Sequence, residues 1–275
     1  MEKLQLFTTL RCDPALMTIS PADSTDLGWN SKPSPFYMLD FHRDRLLKAA
    51  LHWGWDAAVK ALEGDDGLRT LDKFLRENVQ DAAHEPYRAK VLVDRDGVLS
   101  IVKAPTGPVS ISNLFPSRLP APSGHTEPPS PASARVPQRN LDFEVLLDRE
   151  ATAKTEFTHF KTTYRPMYDE ARRRTSIGLT DKKEVLLVND RDGSIMEGSI
   201  TTPYFWRGGR WVTPPISKEF DPTQGSGGNN GTTRRWALER NLAVEEVVLA
   251  SSLVDGEECW ISNGVRGFIH AKVKL

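Results

Sequence analysis

Hydrophobic and polar side chains alternate close to the N-terminus, as they do in a β-strand. Between residues 4 and 11 the three leucines and Thr8 fall on one face of the predicted strand, and Phe7, Thr9 and Arg11 fall on the other. We expect the leucine face to pack in the core. Phe7 and Thr9 should then face away from it, towards a pocket.

Two helices and a β-hairpin are predicted after this strand. Apolar residues at helical spacing indicate helices over residues 37–55 and 67–78. Residues 87–104 contain two β-rich runs separated by Arg95, Asp96 and Gly97, and Asp-Gly supplies the positive φ of a tight turn. Together these elements predict a first α+β unit that ends near residue 112.

A proline-rich stretch separates the two halves of the chain. Residues 115–138 contain seven prolines and little periodicity, which disfavours both a helix and a strand ladder. We interpret the stretch as an interdomain connection or an exposed, partly disordered insertion. The predicted organisation is a small α+β domain over 1–114, this loop over 115–138, and a larger domain over 139–275.

The second half has the pattern of a compact β-rich domain with few helices. Residues 232–240 predict a helix capped by a threonine, and the glycine-rich residues 216–231 predict a mobile loop. The remaining periodic runs predict strands over 184–189, 195–206, 210–213, 243–249, 258–262 and 267–273.

Composition and charge exclude several classes of protein. The 36 basic and 37 acidic side chains nearly cancel, so no global field would attract nucleic acid or an anionic membrane. Cys12 and Cys259 lie far apart, which indicates neither a disulfide framework nor a metal site. The N-terminus lacks the apolar core of a signal peptide, and no run is long enough to span a bilayer. We expect a cytoplasmic protein.

A lysine lies among aromatic residues near the start of the second half. Lys161 stands between Phe160 and Tyr164, ahead of a predicted helix that ends in three arginines. Burial favours the neutral amine that attacks carbonyl groups, so Lys161 is a candidate nucleophile. The alternative is a surface lysine at a helix start. The arginines most simply form a solvated face at the helix end, and they are the only feature that favours nucleic-acid binding.

Three further segments could carry chemistry, each with a plainer alternative. Glu197 follows a buried-looking run and must be paired or protonated there, or it is only a carboxylate at a strand end. Gly231, Thr232 and Thr233 begin a helix whose N–H groups could bind an anion, or they form an ordinary helix cap. Ser262 and Asn263 could offer further donors, or they belong to a simple turn.

The order of these segments resembles that of the class IV aminotransferases, the fold-type IV enzymes that depend on pyridoxal phosphate. LFTTLR resembles the opening strand of that family, FHRDRLLKAA its helix, and HFKTTYR the segment around its Schiff-base lysine. EGSITTPYFWRGGRWVTPP, GTTRRWALER and the closing VVLASSLVDGEECWISNGVRGFIHAKV resemble the remaining motifs. The resemblance implies an α+β fold of two α/β domains, the larger C-terminal one β-barrel-like, and a homodimer that acts on a small amino substrate.

The resemblance also implies roles for individual residues. Lys161 would bind pyridoxal 5'-phosphate as a Schiff base and move the substrate proton, and Glu197 would pair with the pyridine nitrogen. The phosphate would be held by Arg45, by Gly231, Thr232 and Thr233 at the helix start, and by Ser262 and Asn263. Tyr164 would lie beside the ring, or in the core at the helix start. The substrate pocket would include Phe7, Thr9, Arg11, Arg88 and Arg165, with the three arginines chosen by charge alone.

The reaction is the least determined part of this interpretation. The strand from Phe7 to Arg11 and the short chain are most similar to aminodeoxychorismate lyase, which forms 4-aminobenzoate and pyruvate from 4-amino-4-deoxychorismate. An aminotransferase for branched-chain, D-amino acid or (R)-amine donors would use the same residues. A non-catalytic relative is the third alternative. The chain departs from the family at Thr202, where an asparagine is usual, and this change could alter the surroundings of the cofactor.

Overall fold

The computed structural model describes residues 3–19, 34–79, 85–126, 134–178 and 180–275. The chain forms two compact units. The first unit comprises Met1–Val109 together with Phe160–Tyr164, and the second comprises Ser110–His159 and Arg165–Leu275. The short segment with Lys161 therefore belongs to the first unit, although both of its chain neighbours belong to the second. The domain boundaries proposed from the sequence stay a prediction.

The first unit is built on a three-stranded antiparallel sheet. Its strands are β1 (Leu6–Cys12), β2 (Tyr87–Val93) and β3 (Leu99–Pro105), in the order β1-β2-β3. The predicted hairpin is confirmed as β2 and β3. Gly97 has φ of 78° in its turn, and a Cβ there would lie 2.7 Å from the carbonyl oxygen of Ala57, so glycine suits both the turn and its close neighbour.

Three helices follow β1 in the described part of this unit. They are α1 (Leu39–His52), α2 (Asp56–Leu62) and α3 (Gly64–Asn78). The helix expected over 37–55 is therefore shorter, because Gly54, at φ 61°, breaks the helical backbone. The sequence interpretation missed α2. The core joins Leu10 and Cys12 of β1 to Leu71 and Leu75 of α3, as the leucine face predicts.

The second unit contains an eight-stranded sheet, in the order β6-β5-β4-β11-β10-β7-β8-β9. Ser194 pairs with Leu249, and the N–H of Ile195 donates to the carbonyl of Val248 at 2.7 Å. These contacts join β6, the first strand in this order, to the segment that follows β9, the last strand. The sheet therefore curls towards closure, as expected for a barrel-like domain. The strands are β4 (Phe143–Thr152), β5 (Lys183–Asn189), β6 (Ile195–Gly198), β7 (Thr202–Arg207), β8 (Arg210–Thr213), β9 (Val244–Glu245), β10 (Glu258–Asn263) and β11 (Gly267–Lys274).

One strand prediction in this unit is wrong in part, and one strand was missed. The run over 195–206 is two strands, β6 and β7, since residues 199–201 leave the ladder. The sequence interpretation also missed β4, which lies in the middle of the sheet and pairs in parallel with both β5 and β11. Its apolar run of Phe143, Val145 and Leu147 was the available signal.

The helices of the second unit are α4 (Ile111–Leu114), α5 (Glu156–His159), α6 (Pro166–Arg174) and α7 (Thr232–Glu239). The helix predicted over 232–240 is confirmed, but its N-cap is Gly231, not a threonine. Among the described residues, no helix combines the length and apolar character needed to cross a membrane.

The two irregular stretches are better packed than their composition predicts. In the proline-rich stretch, Phe115, Leu119 and Ala121 are buried, and the indole N–H of Trp211 donates to the carbonyl of Leu119 at 3.0 Å. Residues 127–133 of this stretch lie outside the described residues. In the glycine-rich loop, the N–H and hydroxyl of Ser226 both donate to one carbonyl, that of Pro215.

Candidate active site

The backbone of β1 holds Lys161 in the first unit. The N–H of Phe7 donates to the carbonyl of Lys161 at 3.0 Å, and the N–H of Thr163 donates to that of Gln5 at 2.9 Å. Thr162 forms a β-bridge with Leu6 between these two bonds. Lys161 is therefore fixed to the edge of β1 as a short additional strand, and it starts no helix.

Aromatic rings fix the residue before the lysine. Phe160 is 4% exposed, with its ring stacked on His52 at 4.4 Å and in edge contact with Trp53 at 5.1 Å. Both partners lie at the C-terminal end of α1. This packing, together with the β1 bonds, limits the movement of the Lys161 backbone.

One face of the three-stranded sheet brings together four residues predicted for the substrate pocket. Thr9 pairs with Lys90, and Arg11 pairs with Arg88, so these side chains share the face of Phe7. The ammonium group of Lys90 lies 4.4 Å from the centre of the Phe7 ring, and that of Lys161 lies 5.0 Å from it. The sequence interpretation missed Lys90, although its alternation with Arg88 along β2 was visible.

The two arginines on this face have different surroundings. Arg11 is buried, and its guanidinium donates to Asp13 at 2.6 Å and to the carbonyl of Gly107 at 2.9 Å. Arg88 is exposed. Their roles in substrate binding stay predictions.

Arg45 lies in a buried polar group with Thr8 and His42. Arg45 donates to the hydroxyl of Thr8, which is 2.6 Å from Nδ1 of His42. Burial, aided by the positive charges of Arg45 and Lys161, lowers the pKa of His42 well below its usual value. His42 is therefore neutral near pH 7, and its Nδ1 can accept the Thr8 hydrogen. This group orients the guanidinium that we predicted for phosphate binding.

In the second unit, Glu197 has the partner that its burial demands. Its carboxylate is on β6, the residue is 8% exposed, and Oε1 accepts the hydroxyl hydrogen of Tyr168 at 2.5 Å. The sequence interpretation anticipated a paired carboxylate but not Tyr168. The two residues are 29 positions apart, and no local pattern links them.

The glycine-rich loop packs against β6 at Met196 and Glu197. A Cβ at Gly228 would lie 2.5 Å from the carbonyl oxygen of Met196 and 3.1 Å from the Cβ of Glu197. A Cβ at Gly231 would lie 2.9 Å from the hydroxyl oxygen of Thr202. The loop therefore requires the absence of side chains at both positions.

The start of α7 presents donors suited to an anion. Gly231 caps the helix without a side-chain bond, and the first N–H groups of a helix have no intrahelical partner. The hydroxyl of Thr232 is buried and has no hydrogen-bond partner within the described residues. Thr233 shares a hydrogen bond with Ser262 at 2.8 Å, which places β10 next to the helix start.

The remaining predicted residues have other neighbours. The carboxamide oxygen of Asn263 accepts the N–H groups of Val265 and Arg266 at 3.0 and 2.9 Å, so it stabilises the turn before β11. Tyr164 is 51% exposed. The guanidinium of Arg165 lies 4.1 Å from the ring centre of Tyr168.

Comparison with known proteins agrees with these motifs. The sequence profile of the amino-transferase class IV family matches residues 27–272. The chain belongs to this family. It is therefore a member of a group of pyridoxal-phosphate-dependent enzymes, and the predicted enzyme class is confirmed at that level.

Individual relatives include both lyases and aminotransferases. The chain is 31% identical to aminodeoxychorismate lyase of Saccharomyces cerevisiae over an alignment 273 residues long, which covers 87% of this chain and 68% of that protein. It is 28% identical to a candidate aminodeoxychorismate lyase of Schizosaccharomyces pombe over 48% of this chain and 56% of that protein. A solved structure of a candidate amino-acid aminotransferase from Mesorhizobium loti matches with a TM-score of 0.62 at 20% identity, covering 98% of this chain and all of that one. This likeness confirms the fold-type IV prediction.

The residues of the second unit fit the cofactor of this family. The buried Thr232 hydroxyl and the N–H groups beside it suit a phosphate, and the buried carboxylate of Glu197 suits a protonated ring nitrogen. Each end of pyridoxal phosphate therefore has matching chemistry in this unit.

Proposed function

We propose that this protein is an aminodeoxychorismate lyase that uses pyridoxal 5'-phosphate to form 4-aminobenzoate and pyruvate. The observation that carries the proposal is the pair of ammonium groups, from Lys90 and Lys161, on the ring of Phe7. The substrate carries one amine and two carboxylates. A second cation beside the reactive lysine suits a dianionic substrate better than a simple amine donor.

Each residue of the proposed site has a chemical task. Lys161 would hold the cofactor through its amine, and the same amine would accept the proton from the substrate carbon that carries nitrogen. Glu197 keeps the ring nitrogen protonated, and the bound cofactor supplies an electron sink. The residues that would bind the phosphate are Arg45, Thr232, Thr233, Ser262 and Asn263.

Lys90 is proposed to bind a substrate carboxylate. Arg88, an exposed neighbour on the same sheet face, adds positive charge, whereas the charge of Arg11 is paired with Asp13. Loss of the proton and of pyruvate makes the cyclohexadiene ring of the substrate aromatic, which drives the reaction without a second substrate. An aminotransferase would need a keto acid to complete its cycle.

The direct test is production of 4-aminobenzoate by purified protein. Supplied with pyridoxal phosphate and 4-amino-4-deoxychorismate but no keto acid, the protein should form 4-aminobenzoate, measured by its fluorescence. Lys161→Ala should abolish product and the cofactor's visible absorbance band. If no 4-aminobenzoate forms while an amino acid is consumed with 2-oxoglutarate, the protein is an aminotransferase. Absence of any lysine-dependent absorbance would indicate a non-catalytic relative.

Lys90 offers a sharper test of the substrate. Lys90→Gln should raise KM for the substrate about tenfold or more, because an ion pair with a carboxylate is lost, and should leave cofactor affinity unchanged. Lys73→Gln is the matched control, since Lys73 is 76% exposed on α3. An unchanged KM in Lys90→Gln would remove the argument for a dianionic substrate. The homodimer stays a prediction from the resemblance, and the cytoplasmic location stays a prediction from the sequence.

A further inference from the structure

Tyr168 and Glu197 form a buried pair within the second unit. Tyr168 lies on α6 and is 4% exposed, and its hydroxyl donates to Oε1 of Glu197 at 2.5 Å. The same hydroxyl is 3.3 Å from the carbonyl of Thr158. The contact with Glu197 is the shorter of the two, and the negative charge of the carboxylate strengthens it.

We propose that Tyr168 is a positioning residue for the carboxylate of Glu197, which it holds in the orientation that receives the cofactor's ring nitrogen. This inference rests on the proposed function. It adds a residue that acts on the cofactor only through another side chain. Its physical basis is that a carboxylate fixed before binding loses less conformational freedom when the cofactor arrives.

The protonation state of Tyr168 suits this role. Burial, together with the nearby charge of Glu197, raises the pKa of the Tyr168 hydroxyl well above its usual value. Tyr168 is therefore an O–H donor across the physiological range, and the carboxylate is always the acceptor. A donor to a carboxylate favours its ionised form, so Tyr168 also keeps Glu197 negative.

The guanidinium of Arg165 holds the ring of Tyr168 in place. The guanidinium of Arg165 lies 4.1 Å from the ring centre and donates to the carbonyl of Ser199 at 2.7 Å. Arg172 donates to the hydroxyl of Ser199 at 3.0 Å. Both arginines thus tie α6 to the segment that begins two residues after Glu197.

That segment is also anchored to the sheet beneath it. The buried carboxylate of Glu184 accepts the N–H and hydroxyl of Ser199 at 3.0 and 2.6 Å, and the hydroxyl of Thr201 at 2.8 Å. Helix α6, β5 and the segment after Glu197 therefore form one hydrogen-bonded frame. Within this frame, the Tyr168 hydroxyl and the Glu197 carboxylate have little room to separate.

The test is Tyr168→Phe, which removes only the hydroxyl. Cofactor affinity, measured by absorbance titration, should fall about tenfold to a hundredfold, as for one hydrogen bond to a charged group. The midpoint of the pH titration of the bound cofactor's absorbance should also move upwards, because Glu197 would then gain a proton at higher pH. A purely structural role would change the stability without moving this midpoint.

Two controls separate the inference from general damage. Tyr87→Phe removes another Tyr–Glu hydrogen bond, 2.9 Å long, to the exposed residue Glu85, and should change neither quantity. In a Glu197→Gln background, Tyr168→Phe should not move the midpoint further, because the two residues act as a unit. If the wild type binds the cofactor and Tyr168→Phe has the same cofactor affinity and the same titration midpoint, the positioning role is overturned, while the proposed function is not affected. If the wild type binds no cofactor, the proposed function falls with it.

Discussion

Thr8 and His42 share a buried hydrogen bond of 2.6 Å between the hydroxyl and Nδ1. Because Arg45 donates to the same hydroxyl, the Thr8 hydrogen is directed at the imidazole, which must be neutral to accept it. Nε2 of His42 then carries the proton, and within the described residues it has no hydrogen-bond partner. The imidazole is thus built into the first unit as a neutral acceptor.

This arrangement predicts how stability depends on pH. The folded pKa of His42 is lowered, so below the unfolded value of about 6.5 the unfolded chain binds a proton that the folded protein does not. This histidine therefore lowers the free energy of unfolding as pH falls below that value, by up to about 1.4 kcal/mol per pH unit. His42→Gln should have a shallower slope between about pH 6.5 and 5.5, measured by denaturant unfolding, and should be less stable overall.

The control variant is His125→Gln, because His125 is exposed. This variant should retain the stability that His42→Gln loses. Equal slopes for the wild type and His42→Gln would show that His42 is not held neutral by the fold. Arg45 and Lys161 are the charges that oppose its protonation, so their substitution should raise the pH at which it titrates.

Arg234 should be essential for the start of α7. It is 2% exposed and donates to the carbonyl of Pro214 at 2.8 Å, to Asn230 at 3.0 Å and to Glu245. Arg234→Met should lower the free energy of unfolding by about 2–4 kcal/mol, because the buried carbonyl of Pro214 loses its charged donor and two partly buried acceptors lose theirs. Arg210→Met removes an exposed pair with Glu246 and should cost less than about 1 kcal/mol. Similar losses in both variants would contradict this account.

Gly228 should tolerate no side chain. In Gly228→Ala the new Cβ would clash with the Met196 carbonyl, and we expect a loss of about 1–3 kcal/mol in the free energy of unfolding, together with weaker cofactor binding. Gly107→Ala is the control, since its Cβ would meet no described atom within 4 Å. Wild-type stability in Gly228→Ala would mean that the loop does not lie against Glu197 as described.

The two cysteines should be unreactive in the folded protein. Both are free and buried, and burial raises the pKa of the Cys12 thiol to about 12 and that of Cys259 further. Because the thiolate is the reactive form, iodoacetamide at pH 8 should label neither residue until guanidinium unfolds the chain. Mass spectrometry should then find two labels. Rapid labelling of either cysteine in the native protein would show that its thiol is not buried.

Local features of the chain could be predicted because they depend on side-chain periodicity and turn chemistry. Alternation located β1, the Asp-Gly turn located the hairpin of β2 and β3, and helical spacing located α1 and α3. The order of short motifs around Lys161, Glu197 and Gly231 indicated the family. Each of these signals is carried by residues close together in sequence.

The sequence by itself thus determined the family, the main elements and the identity of the candidate lysine and glutamate. Only the tertiary structure decided their partners: Tyr168 for Glu197, the ring of Phe7 for Lys161, and Thr8 and His42 for Arg45. The parallel pairing of β4 with β5 and β11 and the closing contact of Ser194 with Leu249 were equally beyond a local pattern. The physical reason is that periodicity sets which face a side chain occupies, whereas its neighbours depend on the register and packing of elements distant along the chain.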